Sequence, residues 1–316
     1  MQDTRVKIQE DTVLDRRSLL KYTLGGVTSM ALPMSVFGQA PAATIPINDN
    51  LTLIRAGGAN QLALTTSEGV VLVDSGPATA TDSLMAVLDT LHDSGVHTLF
   101  NSHWHADQVG GNELFGRRGA QIIAHQKTHQ RLSIAYYIPH EEHYQVPYPE
   151  AAWPTTHFHD HGVMTAGDET IEYSALVQPH TDSDITVYFR DANVLSVGDA
   201  LSPERDPELD WFGGGWLGGR VDSQKQLLAM TNADTVIVPA YGAVMSQADL
   251  EAELDLTQEL YNRVLNLIRE GCSAGCMLSE GALDGLGRTW NDPDKFLYDA
   301  YKGMWAHHYN LAPNIL

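Results

Sequence analysis

The stretch Asn101-Ser102-His103-Trp104-His105-Ala106-Asp107-Gln108-Val109-Gly110-Gly111-Asn112 puts two imidazoles and a carboxylate within five residues. Neutral histidine nitrogens and a hard carboxylate oxygen at this spacing suit zinc or a similar divalent ion. Three later residues extend the set. His180 stands in Gln178-Pro179-His180-Thr181, Asp199 in Val197-Gly198-Asp199-Ala200, and Tyr241 in Pro239-Ala240-Tyr241-Gly242.

Each of these residues follows a run that reads as a strand, so the chemistry gathers at strand ends, as α/β folds arrange it. Val96–Phe100 leads into the histidine loop, Val194–Val197 into Asp199 and Thr235–Pro239 into Tyr241. Further strands are expected at Leu51–Ile54, Asn60–Thr65, Gly69–Asp74, Ala120–His125, Thr170–Tyr173 and Ile185–Arg190. Val70-Val71-Leu72-Val73 is apolar on both faces, as in a strand buried between layers, and ends at Asp74. Helices are expected over Thr81–Ser94, capped by Thr81 or Asp82, over Asp249–Glu270 and over Phe296–Tyr309. The proline-rich stretch from Ile138 to Gly162 reads as a long irregular loop whose five histidines are taken as solvated rather than as a second metal site. His125 and His129 are read likewise as ordinary surface or half-buried side chains. Trp211–Gly219, aromatic and glycine-rich, reads as a flexible loop suited to substrate contact.

His103-x-His105-x-Asp107 followed by Gly-Gly-Asn resembles the metal loop of the metallo-β-lactamase-fold hydrolases, whose usual form ends Asp-His where this chain has Asp107-Gln108. The resemblance spans about residues 45–265 and implies an α/β (α+β) fold, a four-layer αβ/βα sandwich with metals at one edge. It implies a first metal on His103, His105 and His180, a bridging carboxylate at Asp199, and an Asp74 that supports the loop from behind. A second metal would fall on Asp107, with Gln108 and Tyr241 where the family has histidines. Both departures belong to the second site, so a single Zn2+ per chain is favoured. Two metals, or iron held with help from Tyr241 and the Gln108 carbonyl, remain open. Asp107 would orient a metal-activated water and take its proton, Asp199 would help to position both, and Tyr241 would donate to a developing oxyanion.

Residues 1–42 are expected to be a twin-arginine signal, from Arg16-Arg17, an uncharged stretch Tyr22–Phe37 and a small-residue site Ala40-Pro41-Ala42. Residues 43–270 would form the catalytic domain and 271–316 a helical extension packed on it. Cys272 and Cys276 are the only cysteines; they could pair in an oxidising compartment, and a structural role is expected. A formal charge of −21 opposes nucleic acid and anionic membrane as partners, leaving a small-molecule substrate and no stable membrane insertion after cleavage. Together these expectations describe a periplasmic, β-lactamase-like hydrolase of a small cyclic amide or ester. The alternatives are a lactonase or thioesterase of the same superfamily, or a non-catalytic binding protein that kept the fold. Replacing Arg16 and Arg17 by lysine is expected to leave the precursor in the cytoplasm on cell fractionation; normal export would refute the signal reading.

Overall fold

The computed structural model describes residues 42–308 apart from Glu141; the signal pattern and the last residues lie outside the described residues. Among the described residues, fourteen strands form two sheets and a small hairpin. The first sheet runs β1 (Ala43–Pro46), β2 (Leu51–Ala56), β3 (Ala59–Thr66), β4 (Gly69–Val73), β5 (Val96–Phe100), β6 (Gln121–His125) and β9 (Thr156–Phe158), in that spatial order. The second runs β10 (His161–Ala166), β11 (Glu169–Ala175), β12 (Ile185–Phe189), β13 (Val194–Gly198) and β14 (Val236–Pro239). The pair β7 (Tyr136–Ile138) and β8 (His143–Gln145) stands apart.

Alternation along the strands builds the layers. Ile54, Ala63, Val70, Leu72, Leu99 and Ile122 face Leu84, Met85 and Leu88 of helix α1 (Thr81–Leu91). Phe100 points the other way and meets Tyr173 of the second sheet at 5.2 Å between ring centres. On the outer face of that sheet, Tyr188, Leu195, Val197 and Ile237 pack with Leu227 of α5 (Leu217–Met230) and Leu250 of α6 (Gln247–Arg269). Helix, sheet, sheet and helix therefore form the expected four layers. No helix of the described residues is long and apolar enough to cross a membrane.

Two short helices, α2 (Ala106–Val109) and α3 (Asn112–Arg117), follow the histidine loop, and α4 (Gln126–Ser133) follows β6. The last segment, α7 (Ala274–Met277) and α8 (Pro293–His308), buries Met277, Phe296, Leu297 and Met304 against Leu217, Leu260 and Val264 of α5 and α6. Cys272 and Cys276 form a disulfide with 5.8 Å between their Cα atoms, which brackets the turn into α7. His307 stacks on Trp216, ring centres 4.4 Å apart.

Several expectations are corrected. The first turn of α1 has no side-chain cap from Thr81 or Asp82; a 3-10 turn, Ala78–Ala80, runs straight into it. The stretch 138–162 is not one loop, because β9 joins β6 in parallel at the sheet edge, where its backbone groups are satisfied. The end of the aromatic loop, Leu217–Gly219, is the start of α5, which carries no apolar periodicity because Arg220, Ser223 and Gln224 are among its buried residues. Glycine is required there, since a Cβ on Gly219 would stand 2.3 Å from the Val177 carbonyl oxygen of the His180 loop.

Helix α6 opens on a reciprocal cap. Ser246 Oγ accepts from the Asp249 amide while the Asp249 carboxylate accepts from the Ser246 amide at 2.8 Å. Ser246→Ala is expected to lower stability by about 1 kcal/mol in urea unfolding; an unchanged midpoint would show that packing alone holds this end.

Candidate metal centre

Four loops converge at one edge of the two sheets. His103 and His105 follow β5, His180 lies between β11 and β12, Asp199 follows β13, and Tyr241 follows β14. The histidine loop is fixed from behind. Asp74, in a left-handed conformation (φ 62°) just past β4, accepts the Ser102 amide at 2.7 Å, and Ser102 returns its carbonyl to the Ile185 amide at 2.8 Å. One bond to the loop and one to the second sheet lock the backbone just before His103. Burial is the main influence on the Asp74 carboxyl, pushing it up to about 8 against the lowering effect of Ser102. Behind them, Asn101 and Asn112 exchange side-chain bonds of 2.8 and 3.0 Å, and Ser75 donates to Asn112 at 2.9 Å.

Nitrogens of His103, His105 and His180 all lie within 4.8 Å of one another. The rings stand edge to face with centres 4.6–4.9 Å apart. His103 and His180 are fully buried. Each ring is oriented by a neighbour that leaves a nitrogen over. Ser102 Oγ lies 3.1 Å from His103 Nδ1, Asp210 Oδ2 lies 3.2 Å from His105 Nε2, and Asp184 Oδ1 lies 3.5 Å from His180 Nδ1. His103 Nε2, His180 Nε2 and the Asp199 oxygen Oδ2 are buried without any hydrogen-bond partner. Leaving such atoms unsatisfied is costly, and a divalent ion satisfies all of them at once. The donor set therefore fits a zinc-type ion held by the three histidines.

The electrostatics agree with the geometry. Burial, with the neighbouring imidazoles, pulls His103 down to about 4, so it stands neutral and ready to ligate. Burial also acts to lower His180, but Asp184 and Asp199 outweigh it and raise the ring to about 9. These carboxylates favour positive charge at His180, whether proton or metal ion.

The other carboxylate arm is occupied. Asp107 Oδ2 accepts the Tyr241 hydroxyl at 2.6 Å and the Gln108 side-chain amide at 3.0 Å. Burial and Asp107 push the Tyr241 phenol far above its ordinary value, so it remains a neutral donor. The hydroxyl foreseen as a donor to an oxyanion is given to Asp107 in this arrangement. Gln108 keeps its side-chain oxygen buried and unpartnered, while its backbone carbonyl is taken by the Ser75 amide.

A family model described as "Metallo-beta-lactamase superfamily" matches residues 54–240, more than half of the chain and every site residue named above except Tyr241, which follows it directly. The chain belongs to the metallo-beta-lactamase superfamily. Among solved structures of this fold, a metallo-beta-lactamase from Pontibacter korlensis aligns with a TM-score of 0.57 at 20% identity, over 69% of this chain and 99% of that one. Metallo-beta-lactamase IND-7 aligns with a TM-score of 0.55 at 23% identity, over 69% of this chain and 98% of the other. A sec-alkylsulfatase from Pseudomonas sp. gives 0.63 at 14% identity, over 84% of this chain but only 50% of its own. Such identities show a shared fold. The comparison with curated proteins returns no match.

Within this superfamily frame, the structure brings together every residue singled out from the sequence: His103, His105, Asp107, Gln108, His180, Asp199 and Tyr241. His125 and His129 serve local structure instead. His125 Nδ1 accepts the Lys127 amide at 3.3 Å, and His129 Nδ1 lies 3.1 Å from the Pro154 carbonyl oxygen. Three residues that contact the site were missed: Asp184, Asp210, and Arg205, which donates to Asp199 Oδ1. Asp184 follows His180 by four residues, a spacing that hints at partnership. Arg205 and Asp210 sit in a stretch without periodicity, and nothing in their spacing signals where they fold back. Asp184 also accepts the His180 and Thr181 amides at 3.0 and 2.6 Å, so it positions both backbone and ring. Asp184→Ala is expected to weaken zinc binding by about 10–100-fold in chelator competition; unchanged affinity would show that the ring is held by packing alone.

Proposed function

We propose that this chain is an exported, zinc-dependent hydrolase that acts on a small cyclic amide or ester, in the manner of a β-lactamase. The observation that carries the reading is the three-histidine cluster in which His103 Nε2 and His180 Nε2 are buried with no partner in the protein. When bound there, a zinc-type ion supplies Lewis acidity and a nucleophilic water at neutral pH. Export rests on the Arg16-Arg17 pattern, and the net charge of −21 favours a small substrate over a polyanion.

The chain's own groups divide the remaining work. Asp199 Oδ2, 3.8 Å from His103 Nε2, is the unpartnered acceptor that faces the histidines and would orient a bound ion or its water. Asp107 is a weaker base than its position suggests. Burial tends to raise its carboxyl, but the three imidazoles and the Tyr241 bond outweigh this and lower it to about 2. It serves better as a fixed negative charge that orients donors than as a store for a proton.

Aromatic side chains cluster beside His105. The Trp104 ring lies 4.4 Å from His105, and Arg131 is 5.3–5.9 Å from the rings of Trp104, Tyr136 and Phe212. His140, from the turn between β7 and β8, packs on Trp211 and Phe212 at 5.1 and 5.6 Å. Arg131 is itself paired with Asp182 at 3.3 Å, and flat apolar faces of this kind suit a compact ring.

The test is elemental analysis of the chain from Ala43 onward, together with turnover of a chromogenic β-lactam, a lactone, a thioester and a sulfate ester. About one zinc per chain with β-lactam or lactone turnover is expected, and His180→Ala is expected to lose both while its circular dichroism is retained. Unchanged metal content in His180→Ala would overturn the three-histidine centre, and turnover confined to another ester would replace the substrate reading.

A further inference from the structure

The two oxygens of Asp199 have different surroundings. Oδ2 is buried without a hydrogen-bond partner and lies 3.8 Å from His103 Nε2, facing the histidine cluster. Oδ1 accepts an N–H from Arg205. The same guanidinium lies over the Tyr241 ring, 3.8 Å from its centre, and the Tyr241 hydroxyl donates to Asp107. One planar cation thus joins Asp199 directly and Asp107 through Tyr241.

The loop that delivers Arg205 is held by a dedicated set of contacts. Arg288 donates to the carbonyls of both Ser202 and Arg205. Fully buried Arg220 donates to the Asp199 carbonyl at 2.8 Å and to the Ser202 hydroxyl at 3.0 Å. Glu253 lies between the two arginines, 3.2 Å from Arg288 and 3.8 Å from Arg220. Breaking one member of such a buried set is costly, because it leaves the other charges uncompensated.

We propose that Arg205 takes the place of a second metal ion and restricts the centre to one ion, on His103, His105 and His180. This rests on the metal-hydrolase reading above. Asp199 keeps the role of a carboxylate shared between two cations, but one of them is organic. The guanidinium takes up Oδ1, repels a second divalent ion and stays charged at every working pH. Gln108 and Tyr241 belong to the same arrangement. Each gives Asp107 a neutral donor, and the tyrosine also offers the ring face on which the guanidinium rests. Arg205 is a positioning residue: it acts on the bound ion through Asp199.

The experiment titrates metal-free wild type, Arg205→Met and Arg205→Lys with Zn2+ and Co2+, reading stoichiometry by calorimetry and elemental analysis and folding by circular dichroism. Wild type and Arg205→Lys are expected to bind one ion. Arg205→Met is expected to take a second, at least tenfold tighter than any second event in the wild type, and added methylguanidinium is expected to displace it. Two ions in the wild type, or one in a folded Arg205→Met, would overturn the proposal and leave the hydrolase reading standing. No ion in the wild type would overturn both. Where Arg205→Met fails to fold, Arg205→Gln decides by the same criterion.

Discussion

The structure turns on imidazole nitrogens buried without partners. His103 Nε2 and His180 Nε2 sit in the interior with nothing in the chain to satisfy them, and each such atom costs on the order of 1–3 kcal/mol when no ion is present. The chain tolerates this because everything around the rings is over-determined. Asp74 and Ile185 hold the Ser102 backbone, Asp184 holds the His180 loop, and Asp210 holds His105 while its amide bonds the His180 carbonyl at 3.0 Å. Removing one of these supports loosens the ring it holds and weakens the cluster's grip on an ion.

Carboxylates surround this cluster in graded roles. Asp184 and Asp210 orient rings, Asp107 is engaged by two neutral donors, and Asp199 keeps one oxygen free. The gradient follows from burial and partner count rather than from residue type, since all four are aspartates. Gly198 makes the last role reachable. Its φ of +54° turns the chain out of β13 so that Asp199 faces the histidines, and a Cβ there would press on Ser102 at 3.0 Å.

Much of this was legible in the sequence because strands and metal loops have short periods. Val96–Phe100 was read to the residue, and the runs ending at Asp74, Asp199 and Tyr241 announced strands by their apolar continuity. What escaped notice was placed by long-range contacts. Helix α5 hides behind a polar buried face, and β9 is too short to register among prolines. Arg205 meets its partners across loops that no spacing rule connects. The identities of Gln108 and Tyr241 were visible as departures from a pattern. Their common engagement with Asp107 was not, because that depends on where two loops cross.

The clamp between Arg288 and the carbonyls of Ser202 and Arg205 bears on how this protein should be divided into parts. Arg288 lies beyond residue 240, where the matched family region ends, in a segment that by packing alone would count as an accessory cap. Yet it holds the backbone that carries Arg205 onto Asp199. The unit of inheritance recognised across the superfamily and the unit that shapes this chemistry therefore have different edges. A chimera spliced at the family boundary would keep His103, His105 and His180 and lose the clamp on the backbone that carries Arg205.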